Sequence, residues 1–351
     1  SGVWIMAYTD IDNPELHFQN QLYTGTGSSQ SITLDGDKDM QPDWVWCKTR
    51  NDTQDHQIND SVRGTTKLLA TNNNAQEFTD SNNLTSYNTD GFTVGSSGGI
   101  NGSSDTLASW NWKAGGSASS NSDGSISSSV SVNTTAGFSI VSFTTPSSGT
   151  FTVGHGLSSV PKVWIHKRRD GSDHWQFYHE SVGNTKKLLL SANNAESTSA
   201  IWQDTTPTSS IMYLGAAGTH LNASATYIAY CFSEKKGYSK FGKWTGNGNA
   251  DGPFVYTGFR PAWILRKEIS NADVWIINDT KRSTINNGSI APLYPHLTNS
   301  EPSGVNFDFL SNGFKIRNTD GDSNTLNATF IYMAFAESPF VNSSGVPCNA
   351  K

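Results

Sequence analysis

The chain carries one pattern three times. The strings PDWVWCK (42–48), PKVWIHK (161–167) and PAWILRK (261–267) align without gaps, each a proline, an apolar run and a lysine. Tyr23, Phe143 and Trp244 precede the three prolines by 19, 18 and 17 residues. A second shared segment follows, TLASWNW (106–112), TYIAYCF (226–232) and TFIYMAF (329–335). Copies separated by about 120 and about 100 residues have the spacing of domains. The pattern predicts repeat domains at 21–115, 137–236 and 237–340. A linker or edge strand is expected at 116–136, an N-terminal arm at 1–20 and a C-terminal tail at 341–351. Both terminal segments are candidates for holding neighbouring subunits.

Apolar residues in these strings recur with period two, the spacing of a strand rather than a helix. Trp44 with Trp46, Val163 with Ile165 and Trp263 with Leu265 therefore share a face, which is read as the core. The alternate positions run Val45 to Cys47, Trp164 to His166 and Ile264 to Arg266, so that face is expected to begin covered and end in water. Thr-Gly-Thr-Gly at 24–27, Thr-Asp-Gly-Phe at 89–92 and Thr-Gly-Asn-Gly at 245–248 supply turn residues that accept positive φ. Short helices are expected near Asn72–Glu77 and Asn193–Glu196, where SVRGTTKLLATNNNA (61–75) matches SVGNTKKLLLSANNA (181–195). Pro292, Pro295 and Pro302 break the corresponding stretch of the third copy into a loop. The expected fold is all-β, three tandem β-sandwich-like repeat domains. The short connection at 233–244 brings the second and third together and leaves the first offset.

Charge narrows the partners. Only 15% of the 351 residues are charged and the net charge is -6, which argues against a nucleic-acid backbone as ligand. No window approaches the 18 to 20 apolar residues of a membrane helix, so no membrane partner is expected. Ser1 at the start fits either loss of an initiating methionine or trimming of a precursor. Cys47, Cys231 and Cys348 are odd in number and lack CxxC spacing, and the first two sit in strand-like runs as small hydrophobes.

Motifs that could carry chemistry were each weighed against a plain structural role. Gly95-Ser96-Ser97-Gly98-Gly99 spells a nucleophile elbow but enters a Gly/Ser-rich turn, so it reads as a loop. His155, His166, His174 and His179 lack metal-ligand spacing and read as a surface cluster. Asp35–Asp39 and Asp320–Asn324 lack the glycine and distal glutamate of a helix–loop–helix calcium loop and read as turns. Lys48, Lys167 and Lys267 close the shared strand as gatekeeper charges against sheet aggregation. The sequons at Asn101, Asn222 and Asn327 mark a recurring turn. No catalytic residue, cofactor site or metal site is expected. Trp175, Tyr178, Trp202 and Trp275 lie outside the two best-defined strands and are the candidate glycan-contacting residues, since ring faces stack on sugar C–H faces.

Several strings carry a resemblance: GFSIVSF (137–143), VGHGL (153–157), TYIAYCFSE (226–234), GYSKFGKWTGNGNADGPFVYTGFRPAWIL (237–265), FDFLSNGFK (307–315) and FIYMAFAESPF (330–340). They resemble a repeated domain of virion structural proteins of tailed bacteriophages, especially marine ones, over roughly residues 20–340. The resemblance implies a virion location and a non-enzymatic role as a tail-fibre-like or head-decoration component. Its implied partners are other virion proteins and further copies of itself, with a trimer the natural fibre assembly. The alternative is a carbohydrate-binding module for a host-surface glycan.

Overall fold

The computed structural model describes residues 7–283, 290–304 and 307–348. The chain is all-β, with 43% of residues in strands and 4% in helices. Three large antiparallel sheets share one central arrangement. In the first, Phe18–Thr24, Thr106–Trp112, Trp44–Thr49 and Gln57–Asp60 lie side by side in that order. The second sets Phe138–Thr144, Thr226–Phe232, Val163–Arg168 and Gln176–His179 in the same order. The third does so with Ser239–Thr245, Thr329–Pro339, Phe259–Glu268 and Trp275–Asp279. Register agrees as well: Trp44 pairs with Trp112, Val163 with Phe232 and Trp263 with Phe335. Ser119–Asn121 and Ser128–Asn133 extend the second sheet at its edge, which settles the 116–136 segment as edge strands.

Each large sheet is covered on its outward face by a small one. Val45 and Cys47 pack against Ile32, Leu84, Phe92 and Val94; Trp164 and Cys231 pack against Phe151, Val153 and Met212. Ile264 and Phe330 pack against Val255, Phe309 and Phe314. The inward faces of all three sheets meet in a single core. There Trp112 and Trp263 cross at 5.3 Å between ring centres, Trp44 stacks on Tyr230 at 4.6 Å, and Phe335 touches both Trp112 (5.5 Å) and Phe232 (5.7 Å). Such pairs add about 0.5–1.5 kcal/mol each beyond the area they bury. The strands are thus buried on both faces, which corrects the expectation of a wet strand end. His166 and Arg266 are buried because a neighbouring turn caps each position: Arg266 donates to the Asp322 carbonyl (2.8 Å) and Ser323 Oγ (2.8 Å), and His166 lies against Trp202.

Cross-contacts close the three sheets into a ring, so the first is not offset. The Trp175 indole donates to the Ala70 carbonyl (2.7 Å), and the Trp275 indole to those of Leu189 (2.9 Å) and Ala192 (3.1 Å). Glu77 donates its N–H to the Arg169 carbonyl (2.8 Å), Glu196 to that of Ile269 (3.0 Å) and Glu301 to that of Arg50 (2.6 Å). The Glu77 carboxylate joins Arg63 to Arg169, and Glu301 joins Arg282 to Arg50. These reaching loops occupy the stretches where short helices were expected at Asn72–Glu77 and Asn193–Glu196. Their backbone groups bond across to the next sheet rather than along a helix. Among the described residues the α-helical turns are instead Gly98–Asn101 and Gly321–Asn324. Pro292 and Pro295 do lie in a loop, held to the third sheet where Leu293 bridges Ile277.

The predicted arm is part of this body rather than a free extension. Its last residues begin the first strand, Ile11 and Phe18 enter the common core, and Asp10 bonds Lys236. Residues 1–6 of that arm and 349–351 of the tail lie outside the described residues. Gly237, at φ +77°, is required there, because a Cβ would lie 1.7 Å from Thr9 Oγ1. No helix among the described residues is long and apolar enough to cross a membrane.

The three lysines are not gatekeepers. Lys48, Lys167 and Lys267 are fully buried, because the loops around each strand end lay carbonyl groups over the ammonium. Lys48 donates to Asp52 (3.1 Å), Lys167 to Asn74 (3.3 Å) and Arg168 (3.0 Å), and Lys267 to Asn193 (3.1 Å) and Asp273 (2.6 Å), all at carbonyl oxygens. Burial lowers each from 10.5 to about 8, nearby carboxylates opposing it. Between those two values the unfolded chain holds more protons than the native one, so these lysines make stability rise with pH. The buried Cys47 and Cys231 thiols, pushed up by burial, oppose this once an unfolded thiol ionises above about pH 8.5. The melting temperature is therefore expected to be higher near pH 8.5 than near pH 7.5, and Lys167→Met should shrink that rise by about a third. Differential scanning fluorimetry across this range checks it; a melting temperature that falls steadily from pH 7.5 would contradict the assignment.

Candidate functional site

The four aromatics proposed as glycan contacts are all buried and cannot present a face to a sugar. Trp175 and Trp275 sit in the central core at the junctions between sheets, their indole N–H groups spent on carbonyls of the preceding sheet. Trp202 donates to the Lys186 carbonyl (2.8 Å), and Tyr178 stacks on Trp164 at 3.8 Å. Burial raises the Tyr178 phenol to about 12. These residues complete cores.

The other motifs also resolve into structural parts. Asn101 and Asn324, at the ends of the two helical turns, are buried and tie surrounding loops together. Asn101 Nδ2 donates to the Gly95 and Ser28 carbonyls, and Asn324 Nδ2 to those of Asn318 and Asn249. Both amide ends of Asn101 are engaged, which removes it as a modification site. The four histidines do not form a surface cluster. His155 and His179 are buried against the carbonyls of Thr208 and Tyr332, His166 is enclosed by aromatic rings, and His174 alone is at the surface, on Ser191 Oγ. Asp35 and Asp37 stand in a turn pinned by Lys281 and Glu15. Cys47 and Cys231 are buried thiols, whereas Cys348 is exposed. Among the described residues no three His, Cys, Asp or Glu side chains are grouped to hold a metal.

Among the described residues three depressions stand out. One, of about 400 Å³, lies between Asp12, Glu15, Asp37, Arg260 and Cys348. Another, of about 340 Å³, lies at the seam of the first and third sheets, between Phe18–Asn20, Asp35–Gly36, Ala262 and Lys281. Its charges are matched internally, Lys281 with Asp35 (2.6 Å) and Arg260 with Glu337 (3.1 Å). Gln19 is fully used, accepting from Gly36 and donating to the Glu15 and Lys38 carbonyls. Asn20 donates to the Ala262 carbonyl (3.0 Å) and keeps one buried acceptor, Oδ1, without a partner. The polar groups of this depression mainly serve each other.

The third depression, of about 600 Å³, runs where the N-terminal segment crosses the connection between the second and third sheets. Tyr8 and Tyr256 line it and are 65% and 59% exposed, enough to offer ring faces to a ligand. Gly237 and Gly258 form side-chain-free floor, both at positive φ. Asp10 accepts from the Lys236 N–H (3.0 Å), and Glu234 accepts from the Phe241 N–H (2.8 Å) and pairs with Lys240 (3.5 Å). The acids are thus committed to the protein, whereas the ammonium groups of Lys235 and Lys236 make no ion pair with a described residue. None of these groove residues stands in a repeated string; two adjacent lysines in the 233–244 connection were the available signal.

Against known proteins, no curated protein and no solved structure matches the chain. One family runs through all three sheets: the chain belongs to the family described as Domain of unknown function (DUF7483), which matches residues 13–339.

Proposed function

We propose that this protein is a non-enzymatic structural component of a bacteriophage particle, displayed on its surface as a tail-fibre-like or head-decoration protein. The observation that carries the reading is the closed ring: one chain spends the inner faces of three sheets on a common aromatic core and locks the joints with partly buried ion pairs. That construction suits a rigid building block whose contacts are made by loops and edges. Three of the six edges of the large sheets are short, two or three residues at Phe78–Thr79, Ser119–Asn121 and Ser197–Thr198, which limits open-ended strand pairing there, whereas Phe18–Thr24, Ser239–Thr245 and Trp275–Asp279 are longer edges. The sparse charge and the virion-protein likeness of the 237–265 string support the same reading. Its partners are other virion proteins and further copies of the chain. Immunogold labelling of purified particles with antibody to this protein is the test. Gold at regular positions on heads or tails is expected, and particles that carry none, with the protein left in the soluble lysate, would overturn the proposal.

A further inference from the structure

We infer that the groove between Tyr8 and Tyr256 is a binding site for an anionic oligosaccharide, one bearing carboxylate or sulfate groups. The inference is independent of the particle assignment and concerns residues outside every repeated string.

The chemistry follows from what the groove offers. Two exposed tyrosines can stack on the C–H faces of pyranose rings while their phenol groups reach hydroxyls. Gly258 leaves bare backbone beside the Tyr256 ring, where a sugar ring can approach. A volume of about 600 Å³ lies within the range of ligand sites and holds a few sugar rings rather than one. Sign selects the class of sugar. Lys235 and Lys236 are uncompensated, Lys240 is shared with Glu234, and the one other acid, Asp10, is bonded to the backbone of Lys236. Three lysines thus face two acids, Asp10 and Glu234, and this local positive excess on a chain of net charge -6 favours an anionic ligand at this place. The recognising elements also come from three segments fixed to the body: Thr9 Oγ1 donates to the Lys236 carbonyl (2.7 Å), Lys235 N–H to Ser239 Oγ (3.0 Å), and Thr257 Oγ1 to the Phe259 carbonyl (2.6 Å). The floor is therefore set before a ligand arrives, which keeps the ordering cost of binding low.

The test is calorimetric titration of the full chain with oligogalacturonate, with dextran sulfate oligosaccharide, and with neutral dextran oligosaccharide of similar length. Binding of at least one anionic probe and not of the neutral one is expected. Tyr256→Ala and the pair Lys235→Gln with Lys236→Gln should each weaken it by about tenfold or more. The lysine pair should in addition flatten the salt dependence. Phe78→Ala, which removes an equally exposed ring outside the groove, should leave affinity unchanged. Tyr256 and Lys236 are exposed and Lys235 is half-buried, and unchanged melting temperatures verify that the variants fold. Absence of binding to both anionic probes, equal binding of the neutral one, insensitivity to the groove variants, or equal affinity for a poly-glutamate peptide would each overturn the inference.

Discussion

Acidification from about pH 7 to about pH 5 is expected to unfold the protein in one steep transition. His56, His155, His166, His179 and His296 are all buried. Burial, aided for His56 and His296 by nearby cations, holds them neutral in the fold. His155, His179 and His296 lie at about 4, His166 at about 3, and His56 well below its ordinary 6.5. In the unfolded chain each takes up a proton near 6.5, so below that pH the unfolded state binds more protons and stability falls as pH falls. Each histidine contributes a slope of about 1.4 kcal/mol per pH unit, and five together roughly 7. Against a total stability of about 5–15 kcal/mol, this is exhausted within about two units below 6.5. Tryptophan fluorescence and far-UV circular dichroism should show coincident midpoints between about pH 4.5 and 6. His166, whose two ring nitrogens have no partner, is the diagnostic position. His166→Phe keeps an aromatic ring beside Trp202 and Tyr227 and removes one proton from the balance, so its midpoint should move to lower pH. A native protein that persists below about pH 3.5, or a variant midpoint that does not move, would refute the assignment.

These buried histidines mark the boundary of what was legible in the amino-acid sequence. Period-two alternation located the central strands, and the gapless alignment at Trp44, Val163 and Trp263 anticipated their equal register with Trp112, Phe232 and Phe335. Alternation also implies one dry and one wet face, and here it misled. His166 and Arg266 look like a strand running into solvent, yet each is enclosed by a turn distant in sequence, such as Gly321–Asn324 over Arg266. Local pattern reports polarity, whereas burial depends on what arrives from elsewhere.

The same limit hid the ring and misplaced the site. Trp175 precedes, and Trp275 opens, the fourth strand of its sheet at the place His56 holds in the first, outside the clearest strings, and so both resembled surface rings. Their partners, the carbonyls of Ala70 and Leu189, lie in the preceding sheet. A trace of this contact was present in the matched TNNNAQE and SANNAES stretches, where Glu77 and Glu196 end equivalent loops. Glu301 completes the set, among three prolines, Pro292, Pro295 and Pro302, that obscure the alignment. The groove was harder still, because Tyr8 and Tyr256 lie far apart in the chain and only folding makes them neighbours.

Breaking one joint of the ring is expected to destabilise all three sheets together. Asp60, fully buried, accepts from the Tyr230 hydroxyl of the second sheet (2.7 Å) and from the N–H groups of Val62 (3.1 Å) and Arg63 (2.8 Å), and forms an ion pair with the buried Arg63 guanidinium. Asp279 repeats the device between the third and first sheets, accepting from the Trp110 indole (3.0 Å) and Arg282 Nε (2.6 Å). Truncating either acid strands a buried guanidinium with only Glu77 or Glu301 to balance it, a loss of about 3–5 kcal/mol. Because the inner faces share one core, no sheet can unfold without exposing the aromatic surface of the other two. Calorimetry of the native protein should therefore give a single endotherm. Asp60→Ala and Asp279→Ala should each move the whole of it to lower temperature rather than splitting it. Urea titrations followed by tryptophan fluorescence should show the same loss with an unchanged slope, since the surface exposed on unfolding remains that of the entire ring. Three separable transitions, with only the altered sheet melting early, would mean that the shared core does not couple them.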